Sequence, residues 1–157
     1  MIVLLLSFAV ALADQFIKYL VREHFGLHES VPVLAGLFHL TYVRNMGAAW
    51  GIFGGWNAWL ALLSIVMLIL IVCFRRSFLS DHVAQRIALG LMLGGIVGNL
   101  VDRIRLFFVV DFFDFFWGQH HFPAFNIADA AICTGVFLYI LSSMWLSARP
   151  REPSASA

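Results

Sequence analysis

The sequence predicts an all-α membrane protein: four transmembrane helices, with a small extracytoplasmic β-containing segment and a helix lying on the membrane surface. Three observations lead there. The chain of 157 residues is 62% hydrophobic and only 12% charged, whereas a soluble domain is about half apolar and about a quarter charged. The apolar residues gather in four runs, each close to the ~20 residues that span a bilayer. Between the first two runs lies a stretch rich in β-formers and then in glycine. The formal net charge of +1 gives no reason to expect nucleic acid as a partner.

The first run, 1–13, is uncharged and reaches spanning length by continuing through Asp14 towards Lys18. Its Ala11-Leu12-Ala13 resembles a signal-peptide cleavage site, but no basic segment precedes it. Asp14 and Lys18, spaced i, i+4 with the acid first, form a favourable helical pair. We therefore read a retained helix. In the loop 21–55, residues 38–44 partly alternate and read as a strand. The glycines at 47, 51, 54 and 55 then break up an apolar stretch suited to the membrane surface. The second run, 56–74, carries no charge. The third, 87–101, holds Gly90, Gly94 and Gly98 at four-residue spacing, plus Gly95, a pattern that permits close helix packing. The fourth, 130–148, is again uncharged, and the tail 150–157 is small, polar and expected to be disordered. Cys73 and Cys133 fall inside apolar runs and read as free thiols buried in helices.

Four crossings put both termini on one side. Asp14, the loop 21–55, Asp111 and Asp129 then share the opposite face. Lys and Arg are equally numerous on the two faces, so the positive-inside rule decides little. The pair Arg75-Arg76 and the basic tail favour their own side as cytoplasmic.

The chemistry gathers in residues 109–129. Asp111, Asp114 and Asp129 sit there among phenylalanines. A carboxylate beside hydrocarbon must be paired, protonated or wetted, and such groups in a membrane protein invite a functional reading. Asp129 has a plainer alternative: with Asn126 it spells a capping box, in which an acid complements the helix dipole. Asp111 has no cap signal, and its plainer reading is a solvated residue at the membrane surface. Asp114 is a rival partner, since at i+3 it would share a face with Asp111 in a helical turn. Two carboxyls sharing a low-dielectric site cannot both ionise cheaply, so one holds a proton while the other is a base. Such a pair can activate water for peptide hydrolysis. His120-His121 is a weak metal signal, and no metal is expected.

Five blocks carry a family likeness. They are Asp14-Gln15-x-x-Lys18, Arg44-Asn45-x-Gly47-Ala48-Ala49, Gly94-Gly95-x-x-Gly98-Asn99-x-x-Asp102-Arg103, Val109-Val110-Asp111-Phe112 and Phe125-Asn126-x-Ala128-Asp129. Together, in this order, they resemble lipoprotein signal peptidase (signal peptidase II), across nearly the whole chain. The resemblance implies a single integral membrane peptidase domain over 1–149, with 150–157 as a cytoplasmic tail. It implies an aspartyl endopeptidase of the bacterial inner membrane, its active site towards the periplasm. Such an enzyme cuts diacylglyceryl-modified prolipoproteins just before the lipidated cysteine, in contact with membrane lipid. It needs no metal or other cofactor and is inhibited by the cyclic peptide globomycin. On that likeness Asp111 and Asp129 match the catalytic pair, and Asp14, Lys18, Asn45, Gly95, Asn99, Arg103 and Asn126 match positions that line or support the site. Met46 and Trp50-Gly51 depart from the expected Thr and Phe-Ser, and Asp114 is an additional acid. The alternative from another class is a small proton-coupled transporter or accessory membrane subunit, which would carry polar residues along a path near the bilayer midplane.

Overall fold

The computed structural model describes residues 1–47, 55–74 and 82–148. The expected surface-lying piece within 48–54, the Arg75-Arg76 pair and the tail lie outside the described residues. In chain order the elements are α1 (Ile2–His24), β1 (Ser30–Leu34), β2 (Phe38–Asn45), α2 (Asn57–Cys73), α3 (Val83–Arg105), β3 (Val109–Trp117), β4 (His120–His121) and α4 (Ile127–Ser147).

Helices α1, α3 and α4, of 23, 23 and 21 residues, are long and apolar enough to cross a membrane. Helix α2 is shorter, at 17 residues. The distribution of side chains inverts that of a soluble protein. Leu4, Phe8, Phe137 and Met144 point outward and are exposed, whereas Asp14, Lys18, Asp102, Asp111 and Asn126 are buried. Apolar surface gains nothing by leaving lipid, so the interior is free to hold polar groups that satisfy one another.

Small residues set the helix spacing. Helix α3 packs against both α1 and α4. A Cβ at Gly94 would stand 2.7 Å from the Ser7 carbonyl of α1, and one at Gly95 would collide with the Ala128 carbonyl of α4. Gly135 returns the contact, with the Ala88 carbonyl of α3 2.7 Å from its would-be Cβ. The glycine ladder of α3 thus works on two sides at once. Both cysteines are free, as expected, but exposed rather than buried, because their helices turn those faces outward.

The four strands form one antiparallel sheet in the order β1-β2-β3-β4. Strand β2 matches the expected 38–44. Strand β3 corrects the reading that set Asp111 and Asp114 in a helical turn. The run of Val and Phe is β-prone, and α3 has already closed at Leu106, whose N–H bonds the Asp102 carbonyl at 2.7 Å. Val21 of α1, Tyr42 of β2, and Val110 and Phe112 of β3 form the buried apolar cluster that seats the sheet on the helices.

Candidate active site

Helix α4 begins with the expected capping box. Asn126 Oδ1 accepts the Asp129 N–H at 2.9 Å, and the Asn126 N–H reaches Asp129 Oδ2 at 3.3 Å. An ordinary cap would stop there. Here the Asn126 amide turns back to β3 and donates to Asp111 Oδ1 at 2.7 Å, with Asn99 Oδ1 at 3.2 Å and the Val110 carbonyl at 3.3 Å also in range. One fully buried side chain therefore joins the two aspartates.

Each aspartate has a second donor. Asp111 Oδ2 accepts from Asn45 Nδ2 at 2.9 Å. Asp129 Oδ1 accepts from Asn99 Nδ2 at 2.7 Å. Asn99 Oδ1 accepts in turn from Lys18 Nζ at 2.9 Å. Lys18, only 2% exposed, also pairs with Asp14 at 2.8 Å and Asp102 at 3.0 Å. Asp14 accepts the Ala128 N–H at 2.9 Å, and Asp102 accepts the Val110 N–H at 3.1 Å. Both acids therefore act on the residue just before a candidate catalytic aspartate. A polar ladder runs from α1 through α3 to β3 and the start of α4.

The electrostatics separate the two carboxyls. Burial and then the neighbouring Asp129 charge push the Asp111 carboxyl up to about 7, against the lowering influence of Asn45, Asn126 and Lys18. Asp129 stands in the first turn of α4. A buried carboxyl raised towards neutral pH and joined to a second one through Asn126 is an arrangement on which acid–base chemistry can be built. Arg103 lies within electrostatic reach of Asp129, Asp111 and Asp102. Its Nε is buried and makes no hydrogen bond among the described residues.

Two cavities meet at this pair. One of about 390 Å³ is lined by Asp129, Asn99, Arg103 and the apolar start of α4. The other, of about 760 Å³, is lined by Asp111 and the ends of β2 and β3. Asn45, Phe122, Pro123 and Ala124 border both.

The structure brings together Asp14, Lys18, Asn45, Asn99, Arg103, Asp111, Asn126 and Asp129. Gly95 stands apart: it lines neither cavity and instead allows α3 to approach Ala128. Sequence reasoning left two members out of the site. They are Asp102 and Gln15, both present in the family-like blocks; Gln15 donates to Asp102 Oδ1 at 2.8 Å and to the Gly98 carbonyl at 3.0 Å. The available signal was Lys18 itself, a buried cation with one acid on its own helix and room for more partners. Asp114 bonds His121 and Thr41, not Asp111 or Asp129.

A family model described as Signal peptidase (SPase) II matches residues 6–145. The chain belongs to the signal peptidase II family. Among its relatives, the lipoprotein signal peptidase of Nitratidesulfovibrio vulgaris is 46% identical over 142 residues, covering 87% of this chain and 86% of the relative. That of Syntrophotalea carbinolica is 42% identical over 144 residues, covering 90% and 89%. A bacterial membrane enzyme solved by the in meso method at 2.3 Å resolution superposes with a TM-score of 0.85 at 31% identity, covering 98% of this chain and 94% of that one. A second, solved by the same method at 1.9 Å, gives a TM-score of 0.78 at 33% identity over 90% and 92%. Signal peptidase II membership, with the three long apolar helices, makes this a membrane-embedded protease of the lipoprotein-processing class.

Proposed function

We propose that this signal peptidase II is an aspartyl endopeptidase that removes signal peptides from diacylglyceryl-modified prolipoproteins, cutting before the lipidated cysteine. The observation that carries the reading is Asn126, which caps Asp129 and bonds Asp111 with the same side chain. In the mechanism, Asp129 is the base that takes a proton from the attacking water. Asp111 is the acid that polarises the scissile carbonyl. Asn99 and Asn45 keep the two carboxyls oriented, and Arg103, which lines the cavity at Asp129, holds a substrate carbonyl.

The cavity at Asp129 opens beside the exposed apolar face of α4, which suits an apolar signal segment and the acyl chains. Each buried methylene adds about 0.8 kcal/mol, so acylation of the cysteine favours binding. Globomycin would occupy the same space. We place the peptidase domain at 1–149, with four crossings of the bacterial inner membrane, α2 being the fourth. The catalytic end faces the periplasm, and 150–157 forms a cytoplasmic tail. The polar groups collect at one end of α1, α3 and α4, which favours a site reached from the membrane surface over a transport path through the bilayer.

The test is a gel-shift assay of a lipidated prolipoprotein with purified protein, with and without globomycin. Loss of the signal peptide that globomycin blocks is expected. An intact substrate, together with proton-coupled uptake of a solute in vesicles, would replace the peptidase with a transporter.

A further inference from the structure

Asp114 is the acid that the proposed reaction leaves unused. In a regular strand, residues three apart face opposite sides. Strand β3 is not regular. The N–H groups of Phe112 and Phe113 both reach the Phe125 carbonyl, at 3.0 and 2.9 Å, so β3 carries one residue more than the segment it faces there; the register slip between Leu40 and Val43 puts a separate extra residue into β2. An extra residue in a strand re-aims the side chains beyond it. Asp114 consequently lines the same cavity of about 760 Å³ as Asp111.

Asp114 is held firmly there. Its Oδ1 is 2.9 Å from His121 Nδ1, and its Oδ2 accepts from Thr41 Oγ1 at 3.2 Å. Thr41 Oγ1 is 2.8 Å from Ser30 Oγ, which continues the chain of hydroxyls into the sheet. The His121 ring stacks on Phe116 at 5.1 Å. A carboxylate only accepts hydrogen bonds, so His121 Nδ1 carries the proton of this bond. That ring is 55% exposed and lines the cavity. The guanidinium of Arg44, on the same cavity, is engaged elsewhere: Nε donates to the Tyr42 hydroxyl at 3.0 Å, and the cation stacks over Phe108 at 4.9 Å.

We propose that Asp114 and His121 form a substrate-specificity subsite. It takes a cationic or hydrogen-bond-donating side chain from the polypeptide segment following the cleavage point and disfavours an acidic one. The inference rests on the peptidase reading above. With the apolar signal segment in the cavity at Asp129, the cavity at Asp111 is left for the polar residues beyond the cysteine. The Asp114 carboxylate, held on its wall by His121 and Thr41, selects for donors by leaving an acidic side chain unpaired and repelled.

The experiment uses lipidated prolipoproteins that differ only in a Lys or a Glu, scanned over the first few residues after the cysteine. Binding is read by fluorescence polarisation on detergent-solubilised Asp129→Asn protein, so that no turnover is needed. At one position the Lys form should bind about tenfold more tightly, the scale of one hydrogen bond to a charged group. Adding Asp114→Asn should bring that ratio close to one. His121→Ala, at an exposed ring, should lower it too and serves as the second variant if Asp114→Asn lowers the melting temperature. Equal binding of Lys and Glu forms at every position, or a ratio that survives both variants, overturns the proposal. Turnover by wild-type protein is measured in parallel. Absence of cleavage with the Lys preference intact would overturn the peptidase reading while supporting the subsite.

Discussion

Asn126 donates to Asp111 at 2.7 Å through the amide whose oxygen caps the Asp129 N–H at 2.9 Å. Two functions of one asparagine can therefore be separated by measurement. Asn126→Ala removes a helix cap, which costs about 1 kcal/mol of stability. It also frees Asp111 from Asp129. Activity should fall by ~100-fold or more, the scale of general acid–base catalysis, while the melting temperature drops by only a few degrees. A loss of activity no larger than the loss of folded protein would reduce Asn126 to a cap.

The aspartates themselves should behave as a unit. Asp111→Asn and Asp129→Asn should each lower kcat by ~100-fold or more, and the double variant should be little worse than either, since residues that act together are non-additive. Independent, multiplying losses in single-turnover assays would argue against a shared site.

The pH dependence follows from Asp111. Its carboxyl is pushed up to about 7 by burial and by Asp129. As the acid it must be protonated, so kcat/KM should fall as pH rises through about 7. Stability carries the matching sign. A carboxyl raised above its unfolded value binds its proton more tightly in the folded state, so its contribution is full below about pH 4 and is lost as pH rises through about 7. Asp111→Asn should flatten that part of the melting-temperature profile. A variant with the wild-type slope would assign the titration to another group.

Lys18 gives a prediction about stability. It is buried with Asp14 and Asp102. Lys18→Met strands two acids, and breaking a buried ion pair in this way costs about 3–5 kcal/mol. Adding Asp14→Asn and Asp102→Asn should recover much of the loss, because no uncompensated charge then remains. Failure of the triple variant to fold better than Lys18→Met in chemical denaturation would show that the acids matter for their bonds to Ala128 and Val110 instead.

Topology can be read with reporters fused after residue 28 and after residue 80. The four-crossing arrangement requires opposite signals. Matching signals would remove α2 as a span.

The sequence made the helices legible because uncharged runs of spanning length have few other interpretations. Asp111 and Asp129 were legible because acids among phenylalanines are costly, and Asn126 because its spacing to Asp129 spells a cap. The sheet was only partly so. Strand β2 alternates and was read, but β3 is nearly continuous hydrocarbon around two acids, and periodicity cannot distinguish that from a helix. Asp102 and Gln15 were missed as site members for another reason. Their role depends on α1 and α3 meeting at Lys18, a contact separated by more than eighty residues in the chain. Asp114 was expected beside Asp111 on helical spacing. It does share the cavity, but by way of a strand irregularity that no local pattern announces.

The polar ladder from Lys18 through Asn99 to Asp129 has a consequence for biogenesis. Its rungs come from the first helix, the third and the last, and Asp129 is the final functional group to leave the ribosome. A nascent chain that ends before α4 holds Asp111 without Asp129 and Asn99 without its carboxylate partner. On the proposed catalytic pair, hydrolytic competence arrives together with the completed bundle, as in a lock that opens only when its last pin is set. On that reading, recovered activity after denaturation reports assembly of the whole fold.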